Sequence, residues 1–130
     1  GDDLLGRIVG RQVVARAVIQ QIAEEEDSVI VGRCADFILK DDDVDILSVF
    51  ITAPLADRIT REMDVDDMNE TQAKKFIRKM DMRRKNYYNY FTKGDWGKKN
   101  TYDLILNSSK LGVEGTVDIL CSLYRNFMGQ

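Results

Sequence analysis

The chain has 130 residues, 44% hydrophobic and 32% charged, with a net charge of −3 and no histidine. That length suits a single domain, residues 1–130, with a core of its own. The missing imidazole excludes Ser-His-Asp and Cys-His nucleophiles and histidine-ligated zinc, and no apolar run approaches the roughly 20 residues that span a bilayer.

Asp2 and Asp3 stand where a secretory leader is basic, so the cytoplasm is the expected compartment. Leu5, Ile8, Val9, Val13, Ala17, Ile19, Ile22 and Ala23 recur at helical spacing and predict a first helix from about Asp3 to Glu26. Ser28–Val31 is a short β-branched run that reads as a buried strand ending at Gly32. A short helix over Arg33 to Lys40 and the acidic loop Asp41–Asp43 follow. Ile46–Thr52 reads as a second strand, and Pro54 suits the first turn of a helix over Leu55 to Met63. After a polar loop, Asn69 or Thr71 is placed to cap a long helix that continues to about Tyr90. Gly94 and Gly97 mark a loop, Tyr102–Asn107 a third strand, and Ser108 and Ser109 a turn. The last helix is expected over Val113 to Phe127, with Val117, Ile119, Leu120 and Leu123 inward. Short apolar strands separated by helices predict an α/β fold with a parallel sheet flanked by helices. Cys34 and Cys121 match no metal spacing and are expected as buried or half-buried thiols; no metal ligand set is read from the sequence.

Charge is unevenly distributed. From Thr71 to Lys99 there are ten basic residues against the two acids Asp81 and Asp95, while the remainder carries nine basic and twenty acidic groups. A dense basic segment in an acidic chain points to a phosphate-rich ligand. Phosphoryl transfer also asks least of histidine, since positioning and charge neutralisation do most of its work.

Ligands of open α/β sheets bind at the carboxyl ends of strands, and three segments are predicted there. The first is Val31–Asp36. Gly32 permits a tight turn, Arg33 offers a planar cation for a phosphate or a base edge, and Asp36 is placed to orient Arg33 or accept from a ligand. In the second, Arg58 and Arg61 lie three residues apart on one helix face. In the third, Asp81 stands at i,i+3 from Arg84 and i,i+4 from Lys85, suited to hold one cation while another reaches outward. Phe76, Ile77, Met80 and Tyr87 or Tyr88 supply that helix with an apolar side. Each segment also has a plain reading as a surface ion pair or a solvated amphipathic face.

Together, VGRCADFIL, LSVFITAPLADRITR, IRKMDMRRKNYYNYFT and YDLILNSSKLG resemble, in that order, the cytidylate-kinase-like family of bacterial nucleoside monophosphate kinases. The resemblance runs from about Val18 to Leu120. It implies a P-loop α/β fold with a mobile helical lid, residues 64–101, and transfer of the γ-phosphoryl of ATP, as its Mg2+ complex, to a pyrimidine monophosphate. Gly32, Arg33, Asp36, Arg58 and Arg61 then form the nucleotide-binding set, with Gly32 and Arg33 facing the acceptor and Arg58 and Arg61 on the ATP side. Arg83, Arg84 and Asp81 become the catalytic candidates, with Arg83 and Arg84 clamping the phosphates. Cys34 stands where the better-known cytidylate kinases have an aspartate after Gly-Arg, and Gly-x-x-x-x-Gly-Lys-Ser/Thr has no match in these residues.

The expectation is therefore the C-terminal portion of a kinase core, inactive without the P-loop. Truncation or disorder of the N-terminal part is the favoured account, with a degenerate relative or a sheet completed by homo-oligomerisation as the others. Two readings compete with the kinase. One is a noncatalytic module that binds RNA or single-stranded DNA through the basic, tyrosine-rich helix 71–90, against which the overall acidity counts. The other is a remnant that binds a nucleotide or a partner without turnover. ATP and the nucleoside monophosphate are the expected partners; a membrane is not.

Overall fold

The computed structural model describes residues 2–32, 34–127 and 129, with side-chain surroundings in the first helix given for Arg7 and from Arg11 onward. Its first compact unit is Gly1–Ile46. There, helix α1 (Asp2–Glu25) and the short helix α2 (Ala35–Leu39) close around Ile19, Ile38 and Leu39, with Ala15, Ala23, Ile30, Val44 and Ile46 packed at the edge. Ala15, Ile19 and Ala23 recur every four residues and form one stripe. Val13 and Ala17, expected to share that face, point elsewhere and are exposed: at about 100° per residue, Val13 lies about 120° around the helix axis from Ile19. The expected inward positions Leu5, Ile8 and Val9 lie outside the described side chains.

The strand expected over Ser28–Val31 does not form. The segment is irregular, with Ile30 on the core and Val29 and Val31 each 89% exposed. β-branched residues favour a pleated surface, but a strand exists only with a partner, and none pairs with this run among the described residues.

The second compact unit is Leu47–Gln130. Strands β1 (Val49–Thr52) and β2 (Leu104–Asn107) pair in parallel, Val49 opposite Leu104 and Thr52 opposite Asn107. The fold is thus mixed α/β with a small two-stranded parallel sheet among helices. The sheet is entered through Ser48, whose carbonyl accepts from Asp103 and Leu104 N–H and whose own N–H donates to Asp103 Oδ2 at 2.8 Å. Helix α3 (Leu55–Val65) follows Pro54, and α4 (Glu70–Thr92) follows a four-residue connection. Asn69 caps α4 as expected: its side chain accepts from Gln72 N–H while the Gln72 side chain accepts from Asn69 N–H, closing a capping box. Ala73 and Ile77 are buried, and Phe76, Met80, Tyr87, Tyr88 and Phe91 are half-buried.

The segment after α4 is fastened back onto the sheet by aromatic rings. Phe50 of β1 meets Trp96 edge-on at 5.2 Å and Tyr102 at 4.9 Å between centroids. Asn89 Oδ1 accepts from Trp96 N–H, and Tyr102 Oη from Gly97 N–H. Gly97 takes φ +77°, which favours glycine, and a Cβ there would lie in ordinary contact with the Phe50 ring at 3.5 Å. Helix α5 (Ser108–Phe127) begins directly after β2. The expected turn at Ser108 and Ser109 is instead a first helical turn, capped by Asn107 Oδ1, and the break falls at Gly112 (φ 73°, ψ 168°). Thr116 is the buried residue of α5; Val117, expected inward, is 50% exposed.

Candidate functional site

The site is built on two helices of the second unit. Ile77 lies on the buried side of α4, and Asp81, one turn later, shares that side. Arg58 projects from the second turn of α3. Its guanidinium meets Asp81 in a two-pronged contact, Nη1 to Oδ2 at 2.6 Å and Nη2 to Oδ1 at 2.7 Å. Arg84 adds a third bond to the same carboxylate, Nη1 to Oδ1 at 3.0 Å. The side chains of Arg58 and Asp81 are 33% and 28% exposed, and that of Arg84 is 52% exposed. One carboxylate therefore holds two guanidinium groups from two helices and leaves the trio with a net positive charge.

The electrostatics follow the contacts. The fork from Arg58, then the charges of Arg58 and Arg84, hold the Asp81 carboxyl below its ordinary value, against the opposing effect of partial burial. The bond to Asp81 raises Arg58 correspondingly. One turn beyond Arg58, Glu62 is also raised, first by its hydrogen bond with Asp66, then by burial and by the like charge of Asp66.

The expected i,i+3 pair of Asp81 and Arg84 is present. Lys85, the i,i+4 alternative, is exposed and makes no salt bridge among the described residues. Arg61 and Arg83 are likewise exposed, with no salt bridge among the described residues. The Arg58–Asp81 fork was not anticipated; it joins residues 23 apart in sequence.

The remaining expected site residues belong to the first unit. Gly32 has φ +75° and open space at its Cβ position, and its carbonyl accepts from Ala35 N–H. Arg33 lies outside the described residues. Asp36 opens α2, with Oδ1 accepting from Phe37 N–H at 2.9 Å. Cys34 is buried in a left-handed conformation, φ 58°. Burial first, and the Asp36 charge second, push its thiol up to about 11, so it is a protonated packing group rather than a nucleophile. Cys121, expected buried or half-buried, is exposed on α5.

The exposed guanidinium groups of Arg61, Arg83 and Arg84 suit phosphoryl oxygens. Mg2+ fits these residues less well: among those described, no group of three or more His, Cys, Asp or Glu side chains is placed to hold a metal ion. No helix among the described residues is long and apolar enough to cross a membrane.

The chain belongs to the cytidylate kinase-like family, whose model matches residues 8–110. Among solved structures it is similar to one described as the crystal structure of an uncharacterized protein from Eubacterium ventriosum ATCC 27560, at 29% identity and a TM-score of 0.76. That similarity covers 86% of this chain and 63% of the other, so the chain spans less than two thirds of its neighbour's length. No curated protein matches the chain.

Proposed function

We propose that this chain is the lid-bearing and acceptor-side portion of a nucleoside monophosphate kinase that transfers the γ-phosphoryl of ATP to a pyrimidine monophosphate. The observation that carries the reading is the Arg58–Asp81–Arg84 cluster beside the exposed cations Arg61 and Arg83. Phosphoryl transfer spreads negative charge over the transferred group, and preorganised guanidinium groups stabilise it without reorganising at the moment of reaction. Residues 64–101 form the lid in this reading, with α4 presenting Arg83 and Arg84 to the phosphates and Arg61 serving the ATP side. Gly32, Arg33 and Asp36 serve the acceptor. Mg2+, when bound with ATP, supplies charge neutralisation between the phosphates; none of the described residues is assigned to it. A cytoplasmic location and a homo-oligomer accord with the reading.

The test is release of ADP by the full-length protein with ATP and CMP, dCMP or UMP. Absence of turnover with all three sinks the proposal. Arg83→Ala is expected to lower kcat by about 100- to 1,000-fold, on the order of 3–4 kcal/mol, with a smaller change in KM. A second reading, a noncatalytic RNA- or single-stranded-DNA-binding face on α4, draws on its exposed cations Lys74, Lys75, Arg78 and Lys79 and on Tyr90, 59% exposed. It requires oligonucleotide affinity that falls steeply with salt, and no binding at low salt removes it.

A further inference from the structure

We infer that Asp81 and Arg58 are positioning residues: their fork braces α3 against α4 and holds Arg84, not Arg58, ready for the phosphoryl group. The inference rests on the kinase reading but divides the arginines by what each has left to give. Arg58 spends both terminal nitrogens on Asp81, at 2.6 and 2.7 Å, and this planar face is the one a phosphate needs. Arg84 spends only Nη1, at 3.0 Å, and its half-exposed side chain keeps Nη2 and Nε for a second anion.

The carboxylate has one negative charge for two cations. It lowers the repulsion between the guanidinium groups enough to hold both, and it does not neutralise the pair. Without it, two cations are left facing each other across the α3–α4 contact, and the helix that carries Arg84 loses its polar tie to α3. The backbone between Arg58 and Asp81 runs through the whole connection 66–69, so the fork closes a loop between one helix and the next. It adds a polar tie to α3 in the middle of α4, between the buried Ala73 and Ile77 near its start and the buried Thr92 at its end.

Two variants separate positioning from direct contact. Asp81→Asn keeps the shape and removes the charge. Arg58→Lys keeps the charge but cannot form the two-pronged contact. In the full-length protein each is expected to lower kcat with CMP on the order of 10- to 100-fold while KM for ATP stays near wild type, as a misplaced catalytic group does. In the ligand-free protein each is expected to speed amide exchange along α4. The double variant Arg58→Ala/Asp81→Ala is expected to cost no more than Asp81→Ala alone, since loss of Asp81 already removes the fork along with the Arg84 bond. Wild-type kcat in Arg58→Lys, or a raised KM for ATP with unchanged kcat, overturns the inference and returns Arg58 to the substrate. Unchanged amide exchange in both variants overturns it as well. If the wild-type protein transfers no phosphoryl group, the kinase reading fails by itself, and amide exchange still decides whether the fork braces α4.

Discussion

Helices α1 and α4 are nearly equal in length, 24 and 23 residues, and are stabilised in different ways. In α1, three core-facing positions near the C-terminal half, Ala15, Ile19 and Ala23, make the packing stripe, while Val13, Val14 and Val18 are 65%, 64% and 48% exposed. The more polar α4 is better secured. It has a capping box at Asn69, Ala73 and Ile77 buried near its start, the shared carboxylate in its middle, and Asn89 and Tyr88 tied to the loop beyond. Apolar content therefore does not measure how firmly a helix is held; what counts is which positions find partners. A helix that must carry seven cations needs such ties, because like charges at i,i+4 oppose its formation.

The sharpest test of that contrast is Ile77→Ala. Ile77 is 4% exposed, and removing three buried carbons leaves a cavity that costs about 2–5 kcal/mol. Chemical denaturation of the chain reads it directly. A loss below about 1 kcal/mol would show that the α4 stripe is not the anchor described.

The brace comes next. A half-exposed fork between charged groups falls between an exposed pair and a buried charged hydrogen bond, on the order of 1–2 kcal/mol. Its pH dependence has a fixed sign. The Asp81 value is lowered in the folded chain from an ordinary 3.8, so the contribution is fully present above that ordinary value. It is lost as pH falls through the lowered folded value. The stability gap between wild type and Asp81→Asn should stay flat from pH 8 to about 5 and close in stronger acid. Glu62, shifted upward beside Asp66, is common to both proteins and cancels from that difference. A gap that widens on acidification would contradict the fork.

Much of this architecture is legible in the chain. The helices in their order, the Pro54 start of α3 and the Asn69 cap follow from local rules whose partners lie within a few residues, and the parallel sense of the sheet follows from strands separated by helices. The failures have a common cause. Ser28–Val31 has the composition of a strand but pairs with no strand, and pairing is not a property of four residues. The Arg58–Asp81 fork spans 23 residues, and the Phe50–Trp96–Tyr102 cluster joins segments about as far apart as β1 and β2. Spacing rules on one helix point Asp81 to Arg84 and Lys85, and they have no means of finding a cation on another helix. For the candidate site, sequence thus names most of the charged residues but not which arginine is already engaged.

A smaller effect tests the start of α4. Asn69→Ala removes the side-chain acceptor for Gln72 N–H and leaves the reciprocal Gln72 bond without its partner geometry. The expected loss is about 1 kcal/mol. Asn69→Ser, which can restore the acceptor, should recover most of it.

The smallest effect belongs to α1 and completes the comparison. Val13→Ala removes two methyl groups from a side chain 65% exposed, on a face that packs against no core residue of its unit. Little apolar area is lost, and alanine is the better helix former by a few tenths of a kcal/mol. The two effects nearly cancel, so stability should move by less than about 0.5 kcal/mol in either direction. The same truncation at Ile19, 6% exposed on the packing stripe, has no such compensation. Denaturation of the two variants side by side therefore measures how much of α1's apolar content is engaged. Equal losses at Val13 and Ile19 would mean that the exposed face of α1 is covered in solution, and the contrast with α4 would fail.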